Sequence, residues 1–192
     1  MIVKDFTIED TDILSNETFC VVSLHPWINV GNVAKIVIER LSKKFRSKKI
    51  GELYKPSEFY DYTRYRPKIV SNSFGRSLEI PNTNISLIQI NHGQANIVFI
   101  QMLEPHMFSE KYNDSVISVI DFLKIKRYIL IGSMYDSVPH SRSLLVTGST
   151  NGLEPSDLLG ISLSKSNYSG PTSITSQITV VIQNMKWTIH RF

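Results

Sequence analysis

The sequence has one cysteine, nine glycines and eight prolines in 192 residues, and it contains no long hydrophobic run. The single Cys20 excludes an internal disulfide framework and a thiolate zinc site. The low glycine and proline content excludes collagen-like and low-complexity chains. Acidic residues occur early in the chain where a signal peptide needs an apolar core, and no stretch approaches the length of a membrane span. These absences predict a soluble, cytoplasmic protein that contacts no membrane.

The remaining composition is that of an ordinary globular protein. Hydrophobic residues make up 42% of the chain and charged residues 20%. The length favours one domain over residues 1–192. The net charge of +4 is modest for a nucleic-acid-binding protein, so nucleic acid is not the expected partner.

Patterns typical of buried strands alternate with helical patterns along the chain. Apolar residues recur at helical spacing in residues 33–45, 112–126 and 171–185. Strand patterns occur at residues 18–24, 50–54, 66–70, 85–91, 95–103, 128–133, 144–147, 159–163 and 187–192. Residues 66–70 and 85–91 are predicted to pair antiparallel at one side of the sheet. The order predicts an α/β three-layer sandwich with a mostly parallel mixed sheet and an antiparallel flank.

Titratable residues follow the predicted parallel strands. In open α/β sheets, ligands bind beyond the carboxyl ends of the strands, so these residues are candidates for a shared cleft. They are His25, Glu104, His106, Asp136, His140 and Arg142. A carboxylate beside an imidazole could perform acid–base chemistry, and an arginine could hold an anion. The alternative interpretation is that they are solvated loop residues.

No cofactor or metal site is predicted. Gly31 precedes the first helix, but the glycines of a dinucleotide fingerprint and the Gly-Lys-Ser/Thr ending of a P-loop are absent. A tight turn therefore explains Gly31 better than a ligand loop, although Gly31 stays a cleft candidate. No pair of histidines has metal-ligand spacing on a helix. Cys20 falls inside a buried strand, which favours a packing role over reactivity.

Two further segments have unusual compositions. Aromatic residues and arginines are dense from Tyr54 to Arg66, as in protein interfaces, and the candidate interface residues are Tyr54, Phe59, Tyr60, Tyr62 and Tyr65. The alternative is a loop packed on its own core. Six basic residues lie between Arg40 and Lys49, where a solvated helix end is favoured over a nucleic-acid site.

Five motifs occur in order along the sequence. They are Gly31-Asn32-Val33-Ala34-Lys35-Ile36, Glu58-Phe59-Tyr60-Asp61-Tyr62 with Arg66-Pro67, Glu104-Pro105-His106, Asp136-Ser137-Val138-Pro139-His140-Ser141-Arg142 and Tyr168-Ser169-Gly170-Pro171-Thr172-Ser173-Ile174. Together they resemble the motifs of the PAC2 family, the proteasome assembly chaperone-like proteins. The resemblance covers residues 24–175. It implies a phosphorylase/hydrolase-like fold, a homo-oligomer and protein partners related to the proteasome. Relative to the family, the C-terminal part is shortened or diverged.

Two functional hypotheses follow. The first is a non-enzymatic, oligomeric protein-binding module that resembles proteasome assembly chaperones. The alternative is a small-molecule enzyme of the phosphorylase/hydrolase-like kind, acting on a nucleoside or an amide. In that case Glu104 or Asp136 would act with His140 as acid and base, and Arg142 would hold an anion. The first hypothesis is favoured.

Overall fold

A computed structural model describes residues 1–9, 17–90, 95–135, 138–144, 146–151, 162–163, 169–185 and 188–191. The helices are α1 (Val33–Phe45), α2 (Ser109–Phe122) and α3 (Ile174–Asn184). The strands are β1 (Ile2–Val3), β2 (Phe6–Ile8), β3 (Glu17–His25), β4 (Lys48–Leu53), β5 (Lys68–Asn72), β6 (Gly75–Glu79), β7 (Asn84–Ile90), β8 (Ala95–Leu103), β9 (Arg127–Leu130), β10 (Thr147–Asn151), β11 (Ser162–Leu163) and β12 (Thr188–Arg191). None of the described helices is long and apolar enough to cross a membrane.

Ten strands form one mixed sheet in the order β1-β2-β4-β7-β8-β3-β9-β12-β10-β11. The four neighbours β8, β3, β9 and β12 run parallel and form its centre. The strands β1, β2, β4 and β7 form the predicted antiparallel flank beside β8. The predicted α/β class is therefore confirmed. The sheet is not mostly parallel as predicted: β12 and β10 also pair antiparallel at the other side, so five of the nine described pairs in this sheet are antiparallel and four are parallel.

Helices pack on both faces of this sheet. Along β3, Cys20 and Val22 belong to one apolar cluster and Val21 to another, and residues alternate between opposite faces of a strand. The larger cluster includes the buried apolar residues of α2 and α3, and the smaller one includes Ile38 of α1. Cys20 is fully buried, which raises the pKa of its thiol and agrees with a packing role.

Local patterns placed most elements well. The bounds of α1 match the prediction exactly at residues 33–45, while α2 begins and ends a few residues earlier than predicted. The strand predicted at residues 144–147 lies later in the chain, where β10 begins at Thr147 and ends at Asn151. The short strands β1 and β2 were not predicted, since two and three residues carry too little pattern.

The predicted strand at residues 66–70 does not join the main sheet. Instead β5 pairs with β6 in a separate two-stranded sheet, with Ile69 opposite Leu78. Only Ser73 and Phe74 separate the two strands. Alternation of apolar and polar residues identifies a strand but does not show which other strand it pairs with. The predicted pairing with residues 85–91 was therefore wrong.

Candidate functional site

The loops after β3 and β9 are held together by their main chains. Ser133 N–H donates to the Ile28 carbonyl at 2.8 Å, and Val30 N–H donates to the Ser133 carbonyl at 3.2 Å. The Ser133 hydroxyl also donates to the Val30 carbonyl. Gly31 lies in this loop with a φ of +63°, in the left-handed region that glycine adopts at little cost. Its role in the structure is therefore to allow a tight turn before α1.

The ends of β3 and β8 also meet. Glu104 N–H donates to the His25 carbonyl at 2.9 Å, one step beyond the pairing of His25 with Leu103. The carboxyl ends of β3, β8 and β9 thus lie at one edge of the sheet, and the structure brings His25 and Glu104 to that edge. On its own loop, the His25 ring contacts the Asn29 side-chain amide, with 3.1 Å between Nδ1 and Nδ2.

His106 binds the aromatic segment over the end of β8. The His106 Nδ1 accepts the Asp61 main-chain N–H at 3.2 Å, and the His106 main-chain N–H donates to the Phe59 carbonyl at 2.8 Å. The His106 and Tyr65 rings are 4.5 Å apart between centroids. The Tyr65 hydroxyl donates to the Glu104 carbonyl at 3.3 Å. His106 and the Glu104 main chain therefore position residues 54–66 across part of the predicted cleft.

Charged groups hold the same segment from its other side. Lys111 Nζ lies 2.8 Å from Glu58 Oε2 and 2.9 Å from Asp5 Oδ1, and these hydrogen bonds raise the pKa of Lys111. Near the middle of the segment, hydrogen bonds from Thr63 hold the pKa of Asp61 below its usual value. The segment is thus attached to α2 by Lys111 and to the end of β8 by His106.

Two of the five candidate interface residues belong to the core. Phe59 and Tyr60 are buried in the larger apolar cluster, so the prediction that they form an interface is corrected. Tyr62 and Tyr65 are half-buried, and burial raises the pKa of both phenols. Only Tyr54 of the five is exposed. Four of the five residues therefore fit the alternative interpretation, in which the segment packs against the core of the same chain.

A buried hydroxyl network joins this segment to the sheet. Thr83 Oγ1 lies 2.6 Å from Tyr60 Oη and 2.7 Å from Tyr112 Oη, and it accepts the Leu103 N–H at 3.1 Å. Tyr60 in turn donates to the Leu103 carbonyl at 3.4 Å. Burial raises the pKa of both phenols, so they stay protonated. Every proton has an acceptor if Tyr112 donates to Thr83 and Thr83 donates to Tyr60.

The remaining cleft candidates are not joined to these residues. His140 and Arg142 are exposed, and Arg142 N–H donates to the Pro139 carbonyl at 2.9 Å. Within the described residues, no hydrogen bond or ion pair connects either side chain to His25 or Glu104. Asp136 lies outside the described residues. The described part of the chain also holds no group of three potential metal ligands.

Large apolar side chains lie exposed after the same strands. Tyr54 follows β4, Trp27 follows β3, Phe108 follows β8, and Met134 and Tyr135 follow β9. We call these five residues the strand-end surface. Exposed aromatic and methionine side chains of this kind are enriched in protein interfaces. The strand ends are thus flanked by groups suited to protein contact.

Sequence reasoning missed two parts of this arrangement. It selected polar residues for the cleft and, of the strand-end surface, only Tyr54 as an interface residue, and it passed over Trp27 and Tyr135, which also follow buried strands. It also did not foresee the Thr83 network, because the partners of Thr83 lie 20 to 29 residues away in the chain. The signal that could have located the strand-end surface is an aromatic residue immediately beyond a buried strand.

Comparison with known proteins identifies the family. The model of the PAC2 family matches residues 23–184. The chain belongs to the PAC2 family. The predicted resemblance is therefore confirmed over most of the chain. No curated protein matches the sequence.

Solved structures with the same fold include other PAC2-family members. A PAC2 family protein from Streptomyces avermitilis has a TM-score of 0.75 at 18% identity, covering 91% of this chain and 74% of that one. A proteasome-assembly chaperone homologue from Mycobacterium tuberculosis has a TM-score of 0.72 at 22% identity, covering 90% and 73%. An archaeal proteasome activator from Pyrococcus furiosus has a TM-score of 0.67 at 15% identity, covering 98% and 79%. At these identities the likeness establishes the fold.

Proposed function

We propose that this PAC2-family protein is a non-enzymatic, homo-oligomeric binding module of the cytoplasm, with a chaperone-like role toward proteasome subunits. Two of its structural neighbours are a proteasome-assembly chaperone homologue and a proteasome activator, which supports proteasome subunits as the partner. The strand-end surface is the proposed contact region.

One observation carries this proposal. At the edge where a phosphorylase-like enzyme would bind its substrate, His106 and the Glu104 main chain hold the aromatic segment, and exposed aromatic residues follow the strands that end there. His106 receives a main-chain N–H and packs on Tyr65, so its contacts serve the fold. Apolar side chains at such an edge favour a protein partner over a small polar substrate.

Tyr135→Asp is expected to weaken binding to proteasome α subunits from the same organism by at least about tenfold. Tyr135 is 87% exposed, and an aspartate there would place a charge in an apolar interface, where aromatic residues commonly dominate affinity. Biolayer interferometry with the immobilised protein measures the change. Sedimentation velocity of the variant separates loss of partner binding from loss of self-association.

The matched control is Val180→Asp, which adds the same charge at an exposed apolar position on α3. We expect this control to bind within about twofold of the unchanged protein. Equal weakening by both variants would contradict the strand-end location, and the absence of any binding to the subunits would contradict the proposed partner.

A further inference from the structure

An open groove of about 600 Å³ lies between α1 and the antiparallel flank of the sheet. It is lined by Ile38, Glu39, Ser42, Lys43, Ser47, Lys49, Asn84, Ser86 and Gln101. The helices α2 and α3 pack with the larger apolar cluster on the other face, and α1 covers this face only over the smaller cluster. The flank beside α1 therefore presents a sheet face that no other described helix covers.

The floor of the groove is formed by polar side chains from three strands. Lys49 of β4 pairs with Ser86 of β7, and Asn84 of β7 pairs with Gln101 of β8. Paired residues of antiparallel strands, and residues two apart in one strand, share a face of the sheet. These four side chains therefore lie side by side and offer hydrogen-bond donors and acceptors to a ligand.

Lys43 at the rim of the groove and the other cations at the end of α1 give this part of the surface an excess of positive charge. Three nearby carboxylates each have one lysine partner: Glu39 with Lys35, Glu52 with Lys49 and Glu9 with Lys48. Four further cations at the end of α1 have no carboxylate partner within the part of the chain that the structure describes. They are Arg40, Lys43, Lys44 and Arg46. The complementary ligand is therefore anionic.

We propose that this groove binds an extended, acidic polypeptide segment of a partner protein. The four cations extend over about 9 Å along the helix axis, so a ligand with several spaced charges fits them better than one small anion. Amide and hydroxyl groups on the groove floor can bond to a peptide main chain. None of the described residues that line the groove is aromatic, so nucleic-acid bases lack there the stacking surface that single-strand binders provide.

The probe for this site is a fluorescein-labelled peptide of ten glutamates, measured by fluorescence anisotropy with the full-length protein. We expect saturable binding that weakens as salt is raised, because the contacts are between exposed charges. Lys43→Glu combined with Lys44→Glu is expected to weaken binding at least about tenfold, since it reverses one charge that lines the groove and the charge next to it in the chain, which repels the peptide. The milder pair Lys43→Gln and Lys44→Gln is expected to weaken it less.

The matched control reverses two lysines elsewhere, Lys124→Glu with Lys126→Glu, which changes the net charge by the same amount. We expect binding within about threefold of the unchanged protein, because these residues lie beyond α2 and line no part of the groove. Equal weakening by both pairs would overturn the proposal, since it would indicate attraction to net charge alone. Absence of binding would also overturn it, as would tighter binding of a ten-nucleotide uridine RNA than of the peptide. The strand-end variants leave the groove unchanged, so this test is independent of the proposed function.

Discussion

Replacement of Phe59 by alanine is expected to lower the free energy of unfolding by about 3–5 kcal/mol. The Phe59 ring is fully buried, packs edge-on against Tyr112 at 5.6 Å between centroids, and lies beneath Lys111 Nζ. Its removal leaves a cavity where the aromatic segment meets α2. Urea denaturation followed by circular dichroism measures the loss.

The control for this prediction is Tyr54→Ala in the same segment. Tyr54 is 60% exposed, so its truncation is expected to change stability by less than about 0.5 kcal/mol. If Phe59→Ala instead left the unfolding free energy unchanged and dissociated an oligomer, residues 54–66 would form an interface rather than part of the core.

Thr83→Val is expected to destabilise the protein by about 2–5 kcal/mol, although the two side chains have nearly the same shape. The substitution removes the oxygen that accepts the Leu103 N–H and that bonds to both Tyr60 and Tyr112, so the Leu103 N–H loses its acceptor and the two phenols lose their shared partner. Each unsatisfied buried group costs about 1–3 kcal/mol. Chemical denaturation of the variant measures the difference.

Thr179→Val is the matched control for the Thr83 network. Thr179 is also fully buried, but its hydroxyl donates only to the Thr175 carbonyl one turn earlier in α3. That carbonyl keeps its main-chain helix bond after the substitution, so we expect a loss below about 1 kcal/mol. Similar losses for both variants would show that the Thr83 hydroxyl does not hold the network together.

Hydrophobic periodicity was sufficient to predict the helices and strands that have strong local patterns. The run from Val33 to Phe45 has apolar residues at helical spacing and lysines in its last turn, and it forms α1 with the predicted bounds. The unbroken apolar centre of β3 also reflects burial on both faces of the sheet. Such signals depend on neighbouring residues, and the sequence displays them directly.

Contacts between distant segments could not be predicted in the same way. Asp61 and His106 are 45 residues apart, and nothing near either residue indicates that a main-chain N–H meets an imidazole. Composition likewise could not separate the buried Phe59 from the exposed Tyr54, because both are aromatic residues of one segment. Sheet topology did predict that His25 and Glu104 lie at one edge, since parallel strands end there.

The central claim is that a protein partner covers the strand-end surface. Hydrogen–deuterium exchange, measured by mass spectrometry with and without saturating proteasome α subunits, tests it most directly because it locates the contact. We expect slower exchange on binding in residues 26–32, 104–109 and 133–135, which contain Trp27, Phe108 and Tyr135 respectively. Unchanged exchange in these three segments, with protection elsewhere in the chain, would contradict it.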